Sequence, residues 1–260
     1  MSTDFVQQMF GLDGKTAVVI GGGGVLGGAL VRGLAAAGAH VVVADLLDKM
    51  CQDRVAEVES AGGKASYCLI DVTKRESIEN VLAEAKKVSG RVDILVNSAG
   101  VNHGSPFLEH PVEQWDRVMA INLKAVFEAC QVFGAHMVDA GGGAIVNIGS
   151  VTSHLPLSRV FAYSASKAGV LNLTRNVADD LATKNVRVNA ICPGFFPAEQ
   201  NRKLLDPDRI DSIMRGTSMR RFGEPDELVG ALLLLVSEKA GGFITGTHIN
   251  VDGGFTAAWF

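Results

Sequence analysis

Lys15-Thr-Ala-Val-Val-Ile20, then Gly21-Gly-Gly-Gly-Val-Leu-Gly-Gly28, then Ala29-Leu-Val-Arg-Gly-Leu-Ala-Ala-Ala37, is the stretch that decides the fold. The first part is a short β-branched apolar run of the buried-strand kind, and the last resumes with helical spacing. A strand, a glycine loop and a helix in that order let backbone N–H groups and a helix N-terminus approach a pyrophosphate without Cβ obstruction. His40-Val-Val-Val-Ala-Asp45 reads as a second strand ending in an acid, about 20 residues past the loop. A carboxylate there accepts hydrogen bonds from two ribose hydroxyls and repels a 2′-phosphate, which favours NAD over NADP. The competing role for Asp45 is a helix cap.

The alternation continues along the chain. Helices are predicted over Lys49 to Ala61 and Lys74 to Ser89, with strands over Ala65 to Ile70 and Arg91 to Val96. Asp71 and Val72 follow the third strand, where the acid either meets an adenine ring or caps the next helix. Asn97-Ser-Ala-Gly100 leaves the fourth strand on small residues, as close approach of backbone to a cofactor requires. Pro111 to Asp139 is periodic enough for one long helix with Asn122 at its middle, where an Asn facing a cleft would kink the helix and bind a water. Strand Ala144 to Gly149 leads to Ser150, helix Phe161 to Thr183 carries Tyr163 and Lys167, and strand Val186 to Cys192 ends in Pro193-Gly194. A polar excursion runs to about Gly223, a helix starts at Glu224-Pro-Asp-Glu-Leu228, and a last strand covers Gly246 to Val251. Repeated β-α units with short connections predict a single α/β domain, residues 1–260, with a doubly wound parallel sheet.

Composition narrows the function classes. A formal charge of −4 and only short basic pairs, such as Lys74-Arg75, argue against a nucleic-acid surface. Met1-Ser-Thr-Asp-Phe5 has an early acid and no apolar core of the secretory kind, and the longest uninterrupted apolar run, Ala231 to Val236, is far below the roughly 20 residues of a spanning helix. A cytoplasmic protein without a membrane segment is expected. Cys51, Cys68, Cys130 and Cys192 are widely separated and read as core thiols, and neither they nor the six histidines have metal-ligand spacing.

Tyr163-Ser-Ala-Ser-Lys167 places a phenol and an ammonium one helical turn apart. An ammonium about 5 Å away at an effective dielectric of about 20 favours the phenolate by roughly 3 kcal/mol, about two pKa units. The spacing therefore predicts a tyrosine lowered into the working range of a general acid or base. Ser150, just past a strand end, is placed to hold a substrate oxygen beside it.

Together the glycine loop Gly21 to Gly27, Asp45, Asp71-Val-Thr73, Asn97-Ser-Ala-Gly100, Asn122, Ser150, Tyr163-Ser-Ala-Ser-Lys167, Pro193-Gly194 and Val251-Asp-Gly-Gly254 resemble the short-chain dehydrogenase/reductase family over essentially the whole chain. The resemblance implies a Rossmann-like fold with a seven-stranded parallel sheet, a homotetramer, and a catalytic tetrad of Asn122, Ser150, Tyr163 and Lys167. It implies a nicotinamide cofactor held by Gly21, Gly23, Gly24, Val25, Leu26, Gly27, Asp45, Asp71, Val72, Asn97, Ala99, Gly100, Tyr163, Lys167, Pro193, Gly194 and Phe196. Departures from the family pattern fall at Ile20, Val25 and Ala198, where Thr, Gly and Thr are common. The features Asn102-His103, Phe195-Phe196 and Arg221-Phe-Gly-Glu-Pro-Asp-Glu-Leu228 look like sugar-acid members, most like the D-mannonate oxidoreductase (fructuronate reductase) type. Residues 195–223 are then a substrate lid. Over Phe195 to Phe222, Arg202, Lys203, Arg209, Arg215, Arg220 and Arg221 face Glu199, Asp206, Asp208 and Asp211, a net of +2 that suits a carboxylate substrate. The same arginines could instead pair with nearby acids. His103, His154, Arg159 and Arg202 are further candidates for substrate contact, besides Ser150. Two rival functions are a reductase of 3-oxoacyl thioesters or another ketone on the same fold, and a non-catalytic dinucleotide-binding regulator.

Overall fold

Strand β1, Thr16–Ile20, is buried at every position. Its even and odd residues serve different cores: Val19 joins one apolar cluster and Val18 the other. That is period-two alternation in a strand whose sequence is apolar throughout, as a sheet covered on both faces requires. The computed structural model describes residues 3–196 and 207–257. In it, β1 pairs in parallel with β2, His40–Asp45, on one side and β4, Ile94–Asn97, on the other. Adding β3 (Lys64–Leu69), β5 (Gly143–Ile148), β6 (Val186–Pro193) and β7 (His248–Val251) gives one parallel seven-stranded sheet in the order β3-β2-β1-β4-β5-β6-β7. The protein is a single Rossmann-like α/β domain.

Helices cover both faces. Val19, Val41, Val43, Ile94 and Val96 meet Leu30 and Leu34 of α2 (Val25–Ala36) and Leu228, Leu232 and Leu235 on one side. On the other, Val18, Val42, Leu95, Ile145 and Val188 meet Ile78 and Val81 of α4 (Arg75–Ser89), Phe133 and Met137 of α6 (Ala125–Asp139) and Val170 of α7 (Phe161–Leu181). The strand order reverses between β1 and β4, which opens a crevice beyond their carboxyl ends.

Several elements differ from expectation. Helix α2 begins at Val25 rather than Ala29, because Gly27 and Gly28 pack inside its first turn instead of extending the loop. Residues 112–139 are not one uniform helix: α5 (Val112–Met119) passes into α6 through a π-helical turn, Ala120–Lys124, with Asn122 inside it. A π turn is the local irregularity found at the mid-helix Asn, with the helix continuing on both sides of it. The same 112–139 segment is the one described helix long and apolar enough to cross a membrane by length and composition, and 56% of its most apolar window is buried within the protein. Strand β7 starts at His248 because Gly246, at φ +72°, turns the backbone out of extended geometry. Three helical segments had no clear signal: α1 (Thr3–Phe10), held by a 2.5 Å bond from Ser237 Oγ to the Met9 carbonyl, Pro207–Gly216 within the polar excursion, and Glu238–Gly241.

Under the sheet a buried polar chain ties β4, β5 and α7 together. Asn97 Nδ2 donates to Asn147 Oδ1 at 2.8 Å, and Asn147 Nδ2 donates to Thr174 Oγ1 at 3.0 Å. Replacing Asn147 with Ala removes both bonds and leaves Asn97 Nδ2 only the weak Cys130 Sγ contact and Thr174 Oγ1 only the Val170 carbonyl, so the unfolding free energy measured in urea should fall by about 2 kcal/mol. A change within about 0.5 kcal/mol would show that the chain carries no stability.

Candidate active site

The crevice is lined first by the glycine loop. Gly21 turns back at φ +82°, so close to the strand-β4 exit that a Cβ would lie 2.5 Å from the Ala99 nitrogen. Gly27 faces the Gly21 carbonyl, which a Cβ would approach to 2.0 Å. Only glycine closes this turn. Gly24 caps α2 without a side-chain hydrogen bond, leaving the first N–H groups of the helix open to an anion. Val25 stands exposed in that first turn, while Leu26 packs against the core. Asp45 ends β2 with Oδ2 accepting from the Gly23 N–H at 3.1 Å and Oδ1 accepting from the Leu46 N–H at 2.8 Å. The carboxylate thus braces the glycine loop, and α3 (Asp48–Ser60) starts with Leu47 at its cap position instead. Leu46 and Leu47 beside it are exposed and apolar. A cradle without Cβ atoms, an open helix N-terminus and a carboxylate one strand away fit a dinucleotide.

Other expected cofactor contacts are placed differently. Asp71 Oδ1 accepts from the Thr73 hydroxyl at 2.6 Å and from the Thr73 N–H at 3.1 Å, and Oδ2 pairs with Lys74 at 3.2 Å. The Thr73 hydroxyl, then its N–H and Lys74, hold this carboxyl below its ordinary value. Its carboxylate is engaged in a turn ahead of α4, whose cap position is Lys74, so Asp71 does not cap that helix. Val72 packs on the core. Asn97 turns its side chain into the buried chain under the sheet, so only its backbone can face the crevice. Beyond it, Gly100 lies where a Cβ would meet Asn122 Oδ1 at 3.4 Å and Lys167 Nζ at 3.6 Å. Gly194, after Pro193, packs on the Asp252 backbone, and the Phe196 ring lies over Gly223. Phe195, Phe196, Thr217 and Gly253 line a cavity of about 380 Å³ there.

The four residues expected to act together do converge. Asn122, fully buried in the π turn, accepts the Val101 N–H on Oδ1 at 2.8 Å and donates Nδ2 to the Val101 carbonyl at 2.9 Å and to Ser166 Oγ at 3.2 Å. It thereby fastens the loop after β4 to α7. Ser150 follows β5 and heads a short turn, Val151–Ser153, with its hydroxyl accepting the Thr152 N–H at 3.2 Å and near enough to the Tyr163 phenol to favour its ionised form. Lys167 is 4% exposed; its Nζ lies 5.7 Å from the Tyr163 ring centre and donates to the Ile148 carbonyl at 2.7 Å. Ser153 and Ser166, which the sequence reading passed over, support them, and Cys192, read as a core thiol, is buried. Ser153 Oγ donates to the Lys167 carbonyl at 2.9 Å and accepts the Ser150 N–H at 3.2 Å, while Ser166 Oγ donates to the Tyr163 carbonyl at 2.7 Å. The Ser-x-x-Ser spacing of a capping box was the available signal for Ser153.

The electrostatics correct one expectation. Burial pushes the Tyr163 phenol up, opposed by the Ser150 hydroxyl, and burial pulls Lys167 down from 10.5 to about 8, opposed by Cys192. The phenol is not lowered in the protein alone, because desolvation acts against both charges and the ammonium is bonded to a carbonyl. Burial likewise pushes the Cys192 thiol up to about 11.

Of the substrate candidates, His103 meets the His110 ring edge-on at 5.5 Å, and His154 stacks on His248 of β7 at 4.6 Å. Arg159 has φ +69° and its carbonyl accepts the Ser105 N–H at 3.0 Å. Arg202 and Lys203 lie outside the described residues, as do Glu199, Asp206 and Ala198. The free cationic lid is not what the described part contains. Arg215 pairs with Asp211 at 2.7 Å, Arg221 grips Glu227 at 2.6 and 2.7 Å and holds that carboxyl down at about 2, and Arg220 bonds the carbonyls of Met214 and Arg215. Arg209 reaches across to Ser158 Oγ at 2.9 Å.

This fold and site define a nicotinamide-dependent oxidoreductase, and comparison with known proteins agrees. Residues 24–256 match the family profile described as enoyl-(acyl carrier protein) reductase. The chain is 39% identical to galactitol 2-dehydrogenase (L-tagatose-forming) of Cereibacter sphaeroides, over 96% of this chain and 98% of that one. It is 34% identical to 5-keto-D-gluconate 5-reductase of Escherichia coli K12, over 97% and 100%. A solved gluconate 5-dehydrogenase from Burkholderia cenocepacia, in complex with NADP and tartrate, superposes with a TM-score of 0.92 at 34% identity, covering 98% of this chain and 100% of that one. The chain belongs to the short-chain dehydrogenase/reductase family, enzymes that act on CH–OH donors. A non-catalytic regulator is thereby set aside, and these names do not support the narrower D-mannonate oxidoreductase type.

Lys167 gives a pH test. Its folded value lies below 10.5, so between about pH 8 and 10.5 the folded chain holds fewer protons than the unfolded one, and stability gains as pH rises through that window. In urea, wild type should gain about 2 kcal/mol more than Lys167→Met between pH 8 and 10, since the shared thiols and tyrosines cancel in the comparison. Equal pH slopes in the two proteins would show that Lys167 is charged and solvated in the fold.

Proposed function

We propose that the protein interconverts a secondary alcohol and a ketone on a sugar acid or related polyol, with NAD(H) as the preferred cofactor. The observation that carries this is the convergence of Tyr163 and Lys167 on one helix with Ser150 near the phenol and Asn122 beside Gly100. The bound nicotinamide supplies hydride exchange with the carbon that bears the oxygen. Ser150 and Tyr163 hold that oxygen, and the Tyr163 phenol moves the proton to or from it. Lys167, buried beside the phenol, stabilises its ionised form and would hold the nicotinamide ribose. Asn122 fixes the loop after β4 and keeps one lone pair of Oδ1 for a water that exchanges protons with solvent. The glycine loop from Gly21 to Gly27 would hold the pyrophosphate, with Asp45 on the adenosine ribose.

Asp45 supports NAD, and the exposed Leu46 and Leu47 stand where a 2′-phosphate would need a cation. The NADP complex of the gluconate enzyme weighs the other way. Residues 195–223 act as a substrate lid in this reading, with Arg209 bridging to Ser158 at the rim. His103 and Arg159 are the proposed substrate contacts, with Arg202 among residues not described; His154, stacked on His248, is the weaker candidate. The relatives' names support a sugar acid or polyol, and a D-mannonate or D-fructuronate substrate is one member of that class. One second reading, an acyl-thioester ketone reductase, is supported by a 34% identical relative, the 3-oxoacyl-(acyl-carrier-protein) reductase of Thermotoga maritima. Val112, Trp115 and Phe127, exposed along 112–139, support a homotetramer through these helices.

Assays with 5-keto-D-gluconate and NADH should give turnover that Tyr163→Phe lowers by about a thousandfold or more while dinucleotide affinity stays within about threefold. Retained turnover in that variant removes Tyr163 from the chemistry, and turnover of an acetoacetyl thioester alone would favour the second reading. Asp45→Ala should raise the ratio of NADPH to NADH efficiency by about tenfold or more, through loss of a repelled phosphate. An unchanged ratio would contradict the NAD preference.

A further inference from the structure

His110, just before α5, is assigned no role by the family pattern, yet three elements of the cleft rim meet at it. Its Nδ1 shares a 2.7 Å hydrogen bond with Ser105 Oγ, its ring meets His103 edge-on at 5.5 Å, and it meets Phe161 edge-on at 6.1 Å. Phe161 opens α7 two residues before Tyr163 and also takes the Phe107 ring at 5.1 Å. Ser105 is fixed from its other side, since its N–H donates to the carbonyl of Arg159. Arg159 carries a left-handed backbone, a conformation that costs of order 1 kcal/mol for a non-glycine residue and persists where the surroundings over-determine it. The loop after β4, the loop before α7 and the first turn of α7 are thus joined through one imidazole.

The same place holds unmatched polar groups. His110 Nε2, Gln114 Oε1 four residues on, and Ser164 Oγ three residues past Phe161 are buried without a hydrogen-bond partner. An unpaired buried group costs about 1–3 kcal/mol. An apolar residue in place of His110 would remove the Nε2 cost but also release Ser105 Oγ, so what the histidine supplies at this place is its hold on the loop.

We propose that His110 is a positioning residue for substrate, which sets His103 and the loop 101–110 relative to Tyr163 through Ser105 and Phe161. This deepens the proposed function and rests on its placing of His103 against the substrate. The contacts reach the substrate side of the cleft and leave the glycine loop, Asp45, Ser150 and Lys167 untouched.

The test compares wild type, His110→Ala and His110→Asn in steady-state kinetics, with ethyl acetoacetate and 5-keto-D-gluconate as ketones, together with hydrogen–deuterium exchange of the loop. His110→Ala should raise KM for the ketone about tenfold while kcat and the KM for NADH stay within about twofold. Exchange should quicken at amides 101–107, with the thermal midpoint nearly unchanged, and His110→Asn, which keeps a polar partner for Ser105, should restore most of both. A joint loss of kcat and thermal midpoint, or unchanged KM with unchanged exchange, would overturn the proposal. If wild type reduces neither ketone, the functional reading fails, and the loop exchange still decides whether His110 sets the rim.

Discussion

A buried ammonium without a carboxylate partner is the constraint on which the rest of this structure turns. Lys167 reaches Ile148, the last residue of β5, from the N-terminal half of α7, whose remaining turns pack on the face of the sheet. Burying an unpaired charge is unfavourable, and the fold meets that cost with one carbonyl and no acid among the described residues. Everything near it is arranged to hold that geometry. Ser153 fixes the Lys167 backbone, Ser166 fixes that of Tyr163, and Asn122 reaches Ser166 from the π turn between α5 and α6. Pairing the lysine with a carboxylate would stabilise the ammonium and weaken its pull on the phenol.

The other half of the site follows from close approach rather than charge. The turn at Gly21 brings the exit of β1 against the exit of β4, and Gly27 brings α2 down on that turn. The reversal of strand order lies beside this turn, and Gly100, after β4, faces Asn122 and Lys167. One crevice thus presents backbone N–H groups and a helix N-terminus at one end and a phenol, a hydroxyl and an ammonium at the other.

Much of this is legible in residue spacing. The apolar run ending at Ile20, the glycines after it and the acid at 45 identify strand, loop and second strand, because backbone sterics restrict what can follow a buried strand so closely. The Tyr163 to Lys167 interval places two groups on one helix face. What the spacing does not contain is the cost of desolvation, which depends on what packs over the helix; the phenol is therefore pushed up here although a neighbouring ammonium alone would lower it. Partner choice among many nearby charges is likewise tertiary. Asp71 takes Thr73 and Lys74, Asn97 takes Asn147, and Arg221 takes Glu227, each at a position where the sequence allowed a ligand contact instead. The helix Pro207–Gly216 lay hidden because its residues are mostly polar, and Ile213 is its one buried side chain.

The most direct measurement is a carbon-13 NMR titration of the tyrosine ring, which is tractable because Tyr67 and Tyr163 are the only tyrosines in the chain. With Tyr67 replaced by Phe, the Tyr163 signal of the free protein should stay protonated past the ordinary value of 10.0. Saturating NAD⁺, which adds a second positive charge to the cleft, should bring the titration below that value, and Lys167→Met should abolish the drop. A Tyr163 titration that ignores NAD⁺, or that falls equally without the lysine, would contradict the account.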